Sequence, residues 1–229
     1  MSETATISTN SNKMLLAMVS IGIICAILIV ATFEGTKPRI ERLRAEALQK
    51  AIFRVIPGTV KTITFQLDNG SFKELANTEK SDQMVYAGYG ENNELTGIAV
   101  EAAGQGYADI IRILYGYNPE SETIVGFYVL ESKETPGLGD KIEKDPVFLS
   151  NFEALDVSLN NDHSKVNNQI VTTKKGAKEN PWEVDGITGA TISSRAIGNI
   201  LGESTQKWMP LIYKNKEAFK LTSKEKGNE

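Results

Sequence analysis

Four hydroxyls crowd one stretch near the end of the chain. Thr188, Thr191, Ser193 and Ser194 lie within V-D-G-I-T-G-A-T-I-S-S-R-A-I-G-N-I-L, residues 184–201. A glycine-containing turn gives way there to a helical pattern, with Ile197 and Leu201 on one face. The first N–H groups of a helix have no partner inside it, and its dipole favours negative charge. Thr188, Gly189, Ala190 and Thr191 therefore offer a seat for an anion such as phosphate. Thr and Ser are also ordinary N-caps, and on the residues alone both readings stand. Asp185 opens the stretch and suits a turn-capping role. A second string, Glu134-Thr135-Pro136-Gly137-Leu138-Gly139, reads as a turn that closes a strand and presents apolar Leu138 from a glycine-rich loop.

Little else in the chain can do chemistry. The 229 residues contain one cysteine, Cys25, and one histidine, His163. They permit no internal disulfide and cannot by themselves build a zinc or iron–sulfur site. His163 sits in the polar run S-L-N-N-D-H-S-K and reads as an exposed loop residue, while Cys25 lies in an apolar run and behaves as a small hydrophobe. With 25 Lys+Arg against 29 Asp+Glu, the net charge is −4. No basic field is available to dominate phosphate contacts, so nucleic-acid binding is set aside. Any chemistry must come from carboxylates, hydroxyls, backbone groups or a borrowed organic cofactor.

The elements that must position these residues follow from the pattern. After a tail over 1–13, Met14 to Phe33 runs twenty residues without a charge, proline, Asn or Gln. As a helix at about 1.5 Å per residue it is roughly 30 Å long, the thickness of a hydrocarbon core, and is predicted to span a membrane uncleaved. Residues 34–58 follow as an amphipathic juxtamembrane helix, with Pro38 in its first turn and Pro57-Gly58 as its stop. Lys37, Arg39, Arg42 and Arg44 there outnumber Lys13 on the other side. A simple positive-inside count puts the large domain in the cytoplasm, but long domains translocate regardless of charge, so charge leaves the side undecided. Beyond this the period changes to two in 60–67, 95–102, 108–114 and 123–130, separated by Asn- and Gly-rich turns. Short helices are expected at 146–152 and, more strongly, 191–208. The predicted class is α+β, a mostly antiparallel sheet with packed helices over 59–210, followed by a C-terminal tail over 211–229 whose last residues, SKEKGNE, fray.

Here the two strings acquire a resemblance. Asp185-Gly186-Ile187-Thr188-Gly189-Ala190-Thr191 resembles the D-x-x-[ST]-G-A-T signature of FMN-binding domains whose last Thr is covalently flavinylated. Glu134 to Gly139 matches the E-T-P-G-L-G string of the same domains. With the apolar span and the chain length, the sequence resembles the G-subunit family of Rnf electron-transport complexes, related to the C subunit of the sodium-translocating NADH:quinone oxidoreductase. The resemblance implies covalent FMN, joined through its phosphate to Thr191 by a flavin transferase that takes it from FAD. Thr188, Gly189, Ala190, Ser193 and Ser194 would surround the attachment, and Asp185 would cap the turn or bind a metal during transfer. Thr135, Leu138 and Gly139 would line the flavin ring, while Glu134 would hold the loop or meet the flavin edge. It further implies an electron-transfer protein without catalysis of its own, partnered by iron–sulfur and flavin subunits in ferredoxin- and NAD-linked ion translocation. The location implied is the bacterial cytoplasmic membrane, with the domain on its outer side. Two rivals remain: an anchored non-redox binding module in which TGAT is only a helix cap, and an anchored flavin reductase, for which the sequence offers no G-x-G-x-x-G fingerprint.

Overall fold

The computed structural model describes residues 11–75 and 83–221; the expected fraying of Ser223–Glu229 and residues 1–10 of the first tail lie outside them. The chain divides between Ala47 and Leu48 into two units. The first is formed by helix α1, Ser11–Val55, of which the final turns belong to the second unit. The apolar side chains from Met14 to Phe33 are exposed throughout. Among the described residues α1 is the one helix long and apolar enough to cross a membrane. Its hydroxyls are satisfied internally: Thr32 Oγ1 donates to the Leu28 carbonyl at 2.7 Å and Thr36 Oγ1 to that of Thr32 at 2.8 Å.

No helix break separates 14–33 from the juxtamembrane stretch. The sequence places Pro38 at a new start, whereas the structure carries it inside α1. Proline removes one N–H, and the Glu34 carbonyl that loses its donor lies in an exposed stretch where another donor can reach it.

The second unit is built on a seven-stranded sheet. Its strands are β1 Lys61–Asp68, β2 Ser71–Glu74, β3 Met84–Tyr89, β4 Leu95–Gln105, β5 Ile110–Asn118, β6 Thr123–Glu131 and β7 Leu155–Asp156. Their order is β2-β1-β3-β4-β5-β6-β7, and every neighbouring pair is antiparallel. Two short helices, α2 Lys141–Lys144 and α3 Pro146–Leu149, follow β6. A small parallel pair, β8 Val171–Thr173 and β9 Glu183–Asp185, leads into helix α4, Thr191–Lys214. The class is α+β, as the alternation predicted.

Alternation along the strands divides the core between two faces of the sheet. Ile111, Ile113, Tyr115 and Tyr117 of β5 join Ile197, Leu201, Trp208 and Met209 of α4. Leu114, with Tyr86 and Ala99, meets Ala51, Ile52, Val55 and Ile56 at the end of α1. Fully burying an aliphatic side chain of this size contributes about 1.5–3 kcal/mol, so both layers are needed to hold the sheet. The second layer depends on two glycines paired across β5 and β6, Gly116 and Gly126. A Cβ at either would overlap the Val55 carbonyl oxygen. Gly126→Val is expected to destabilise the domain by about 1–3 kcal/mol through overpacking, read as a lower thermal midpoint. An unchanged midpoint would show that the α1 end can move off the sheet without cost.

Four phenols are buried in or beside this core. Burial pushes Tyr89 up to about 12, and pushes Tyr86, Tyr115 and Tyr117 higher still. The unfolded chain releases these protons near pH 10, before the folded one does, so stability is complete below about pH 10 and falls as pH rises toward the folded values. Denaturant midpoints should therefore drop between about pH 10 and 12, with tyrosinate absorbance appearing together with unfolding. Absorbance from all seven tyrosines at an ordinary phenol value, before any unfolding, would contradict the burial.

Candidate functional site

The start of α4 has no side-chain cap. Strand β9 ends at Asp185, and the chain turns through Gly189, whose φ of +84° is the left-handed conformation that glycine adopts without steric cost. The N-cap position falls on Ala190, which has no side-chain acceptor. The Ser194 N–H reaches the Ala190 carbonyl at 2.9 Å. Among the described residues no acceptor takes up the N–H groups of Thr191, Ile192 or Ser193. Thr191 itself is the first helical residue, exposed, and its hydroxyl makes no hydrogen bond among the described residues. It is not a cap. The arrangement instead leaves a free hydroxyl beside three free N–H donors at the positive end of a 24-residue helix.

The neighbouring hydroxyls point to the fold rather than to that opening. Ser193 is buried and donates to Oε2 of Glu134 at 2.5 Å. Ser194 is fully buried; its Oγ accepts the Ile187 N–H at 3.4 Å and donates to the Thr191 carbonyl at 3.3 Å. Thr188 is exposed.

Glu134 joins the two sequence strings. Only 6% exposed, it accepts the N–H groups of Tyr107 and Ala108 on Oε1, at 2.8 and 3.0 Å, besides the Ser193 hydroxyl on Oε2. Its place near the positive end of α4 suits a carboxylate. A Cβ at Gly106 or Gly139 would strike this carboxylate, so the β4–β5 turn, the E-T-P-G-L-G loop and the first turn of α4 converge on one buried group. Both oxygens are engaged within the chain. Glu134 therefore holds the loop. Lys133 adds an exposed tie to Asp109 at 2.5 Å, which, with the Ile110 N–H, holds the Asp109 carboxyl below its usual range. Within the loop, the Leu138 N–H reaches the Thr135 carbonyl at 3.1 Å and Gly137, at φ +78°, donates to Asp140 Oδ1 at 2.7 Å. Thr135 and Leu138 are left exposed, and Gly139 is buried.

Asp185 does not cap the turn that follows it: its Oδ1 accepts the Gly176 N–H at 2.6 Å, in the connection between β8 and β9. Its backbone is held by Asn151, a residue that no sequence motif singles out. The buried Asn151 amide accepts the Asp185 N–H at 2.9 Å and donates to its carbonyl at 3.2 Å, imitating a strand partner. It also donates to the Phe148 carbonyl at 2.9 Å, tying α3 to β9. An open polar cleft of about 500 Å³ lies beside it, lined in part by Asn151, Lys178, Asn180 and Asp185. Lys178 donates to Asn151 at 3.3 Å, while Lys174 and Lys175 are exposed. His163 departs from expectation: it is half-buried, with its ring stacked on Tyr213 at 4.0 Å between centroids.

The structure thus gathers Thr191, Glu134, Gly139 and Ser193 at one place, and brings in Tyr107, which sequence reasoning missed. Its only signal was the Gly104-Gln105-Gly106 turn just before it. A phosphate ester would fit the free hydroxyl and the N–H donors at the start of α4.

Fold and site together define an FMN-binding domain behind an apolar helix: residues 106–206 match the FMN-binding domain family. Two solved structures share the fold, the C subunit of the Na+-translocating NADH-quinone reductase from Parabacteroides distasonis and NqrC of Shewanella oneidensis. The first has a TM-score of 0.58 at 21% identity, covering 76% of this chain and 96% of that one. The second has 0.50 at 23%, covering 74% and 85%. Among curated proteins, the G subunit of the ion-translocating oxidoreductase complex of Methanosarcina acetivorans is 31% identical over 194 residues, 85% of this chain and 92% of its own length. Its counterpart from Pasteurella multocida is 30% identical over 187 residues, 80% and 86% respectively. The chain belongs to the family formed by the G subunits of ion-translocating oxidoreductase complexes.

Proposed function

We propose that this chain is the electron-transfer subunit of an Rnf-type complex and carries FMN covalently on Thr191. The observation that carries the reading is the exposed Thr191 hydroxyl at an uncapped helix start, inside the region that matches FMN-binding domains. Bound FMN supplies one-electron transfer, which none of the side chains around Thr191 can provide. The residues of the chain supply position. Thr191 fixes the phosphate, the free N–H groups of α4 offset its charge, and Glu134 locks the loops on either side. Attachment uses a flavin transferase and FAD: the Thr191 oxygen forms a bond to the FMN phosphorus, the pyrophosphate P–O bond breaks, AMP leaves with the bonding electrons, and the hydroxyl proton is released.

The partners in this reading are the iron–sulfur and flavin subunits of the same complex, in electron flow linked to ferredoxin, NAD and ion movement. The apolar span of α1 anchors the chain once in the cytoplasmic membrane, and residues 59–210 form the flavin domain on its outer side. A covalent tether suits a compartment without free FMN, where a dissociated cofactor would be lost.

Mass spectrometry of the peptide containing Thr191, from cells that possess the transferase, should show the added mass of FMN on that residue. An unmodified peptide overturns the attachment. For topology, a protease added to intact spheroplasts should digest the domain while cytoplasmic markers survive; a protected domain overturns the outward orientation.

A further inference from the structure

Beyond the apolar span, α1 carries an apolar stripe that stays exposed among the described residues. Because the helix runs unbroken through Pro38, one seven-residue register extends from Phe33 to Ala47. Phe33, Ile40 and Ala47 stand seven apart, with Thr36 and Leu43 three places after the first two, the spacing that keeps one helix face against a partner helix. At about 1.5 Å per residue, Ile40 and Leu43 lie roughly 10 and 15 Å along the axis beyond Phe33, past a polar lipid layer of about 5–7 Å. Lipid tails can cover Phe33 but not these two, which are 45% and 49% exposed. Ala47 is exposed as well. Thr36 does not interrupt the stripe, since its hydroxyl is satisfied within the helix by the Thr32 carbonyl at 2.8 Å. Pro38 and Ala45 fall on the opposite side.

We infer that this stripe is the seam of a short two-helix coil, and that its occupant is a helix of another subunit of the same complex, crossing the membrane beside α1 and carrying Asp or Glu where it emerges. The charges along the seam choose the occupant. The positions that border it are Lys37, Arg39, Arg44 and Glu46, and Glu46 already pairs with Arg42 at 3.6 Å. The border is therefore cationic. Two copies of this chain would cross the membrane in the same direction, so their stripes would pack in parallel and set Arg39 of each against Arg44 of the other. Like charges across a seam count against a second copy, whereas acidic residues on the facing helix turn the same positions into attractions. A seam of two heptads is too short to hold two free helices, but anchoring in one membrane supplies the effective concentration. The inference rests on the anchor and the complex of the proposed function, and not on the flavin.

The test puts the photo-crosslinker p-benzoylphenylalanine in place of Leu43, and in a second chain in place of Ala45 on the opposite side, each in the full-length protein made with the rest of its complex and the transferase. Illuminated membranes should give an adduct from position 43 that mass spectrometry assigns to a membrane-spanning subunit, next to an acidic residue, and severalfold less from position 45. Lys37→Gln with Arg39→Gln should lower the position-43 adduct severalfold, and Lys37→Arg with Arg39→Lys should keep it. All these side chains are exposed and lie outside the apolar span, so the variants leave the anchor and the folded domain intact. An adduct of twice the chain's mass overturns the assignment in favour of a second copy. No adduct, equal adducts from both positions, or an adduct indifferent to the neutralised cations overturns the seam. Flavin fluorescence of the denatured chain, scored on the same membranes, keeps the two readings apart: a fluorescent band without the adduct overturns the seam alone, and the adduct without fluorescence overturns the attachment and supports the seam.

Discussion

A full-length Thr191→Val chain made in cells with the flavin transferase is expected to give a denatured band with no flavin fluorescence at all. Valine keeps the branched shape of threonine and removes only the hydroxyl. Because the N-cap falls on Ala190, the Thr191 hydroxyl caps nothing, and the stability change should stay below the roughly 0.5–2 kcal/mol that a lost cap costs. Loss of flavin with an unchanged thermal midpoint would separate attachment from folding. Thr191→Ser keeps an oxygen in the same place and should retain fluorescence. If Thr191→Val still glows, attachment lies elsewhere, and Thr188, exposed in the same turn, is the next residue to change.

Glu134→Ala should have the largest effect on stability. It strands two backbone N–H groups and the buried Ser193 hydroxyl, and opens a void between Gly106 and Gly139. A buried donor without an acceptor costs about 1–3 kcal/mol, and losses around one group do not simply add, so a total on the order of 2–4 kcal/mol is expected. Glu134→Gln can still accept both N–H groups through its amide oxygen and should cost about 1 kcal/mol. In Glu134→Ala the covalent flavin should remain, since Thr191 sits on α4, but cleavage within Thr135–Leu138 by added protease should accelerate. A thermal midpoint within the scatter of ordinary surface substitutions, about 0.5 kcal/mol, would mean that the carboxylate does not hold the three segments together.

Period alone exposed much of this architecture. The apolar span, the strands over 61–68 and 95–105, and helix α4 stand where periodicity put them, because each has a face that must be buried or a span without charge. Strand β3, M-V-Y-A-G-Y, escaped notice since its residues are buried on both faces and do not alternate. The end of α4 ran past Trp208 to Lys214, through Pro210, because Met209 and Ile212 continue the buried stripe. At the site, hydroxyls in sequence suggested one cluster around the anion, but a helix sends successive residues in different directions. Thr191 is exposed, whereas Ser193 and Ser194 are inside. Asn151 and Tyr107 were invisible for another reason: their roles come from contacts over 34 and 27 positions that no local pattern encodes.

The missing cap at Ala190 has a consequence for the life of the chain. With no side-chain acceptor at the start of α4, the newly made protein reaches its fold with one helix terminus electrostatically unfinished. On the proposed attachment, a phosphodiester on Thr191 would bring oxygens to those N–H groups and a negative charge to the positive end of the helix. Maturation would then complete the charge balance of that terminus in a chain that is already folded. Cells lacking the transferase would accumulate a folded protein whose α4 start leaves these N–H groups to water.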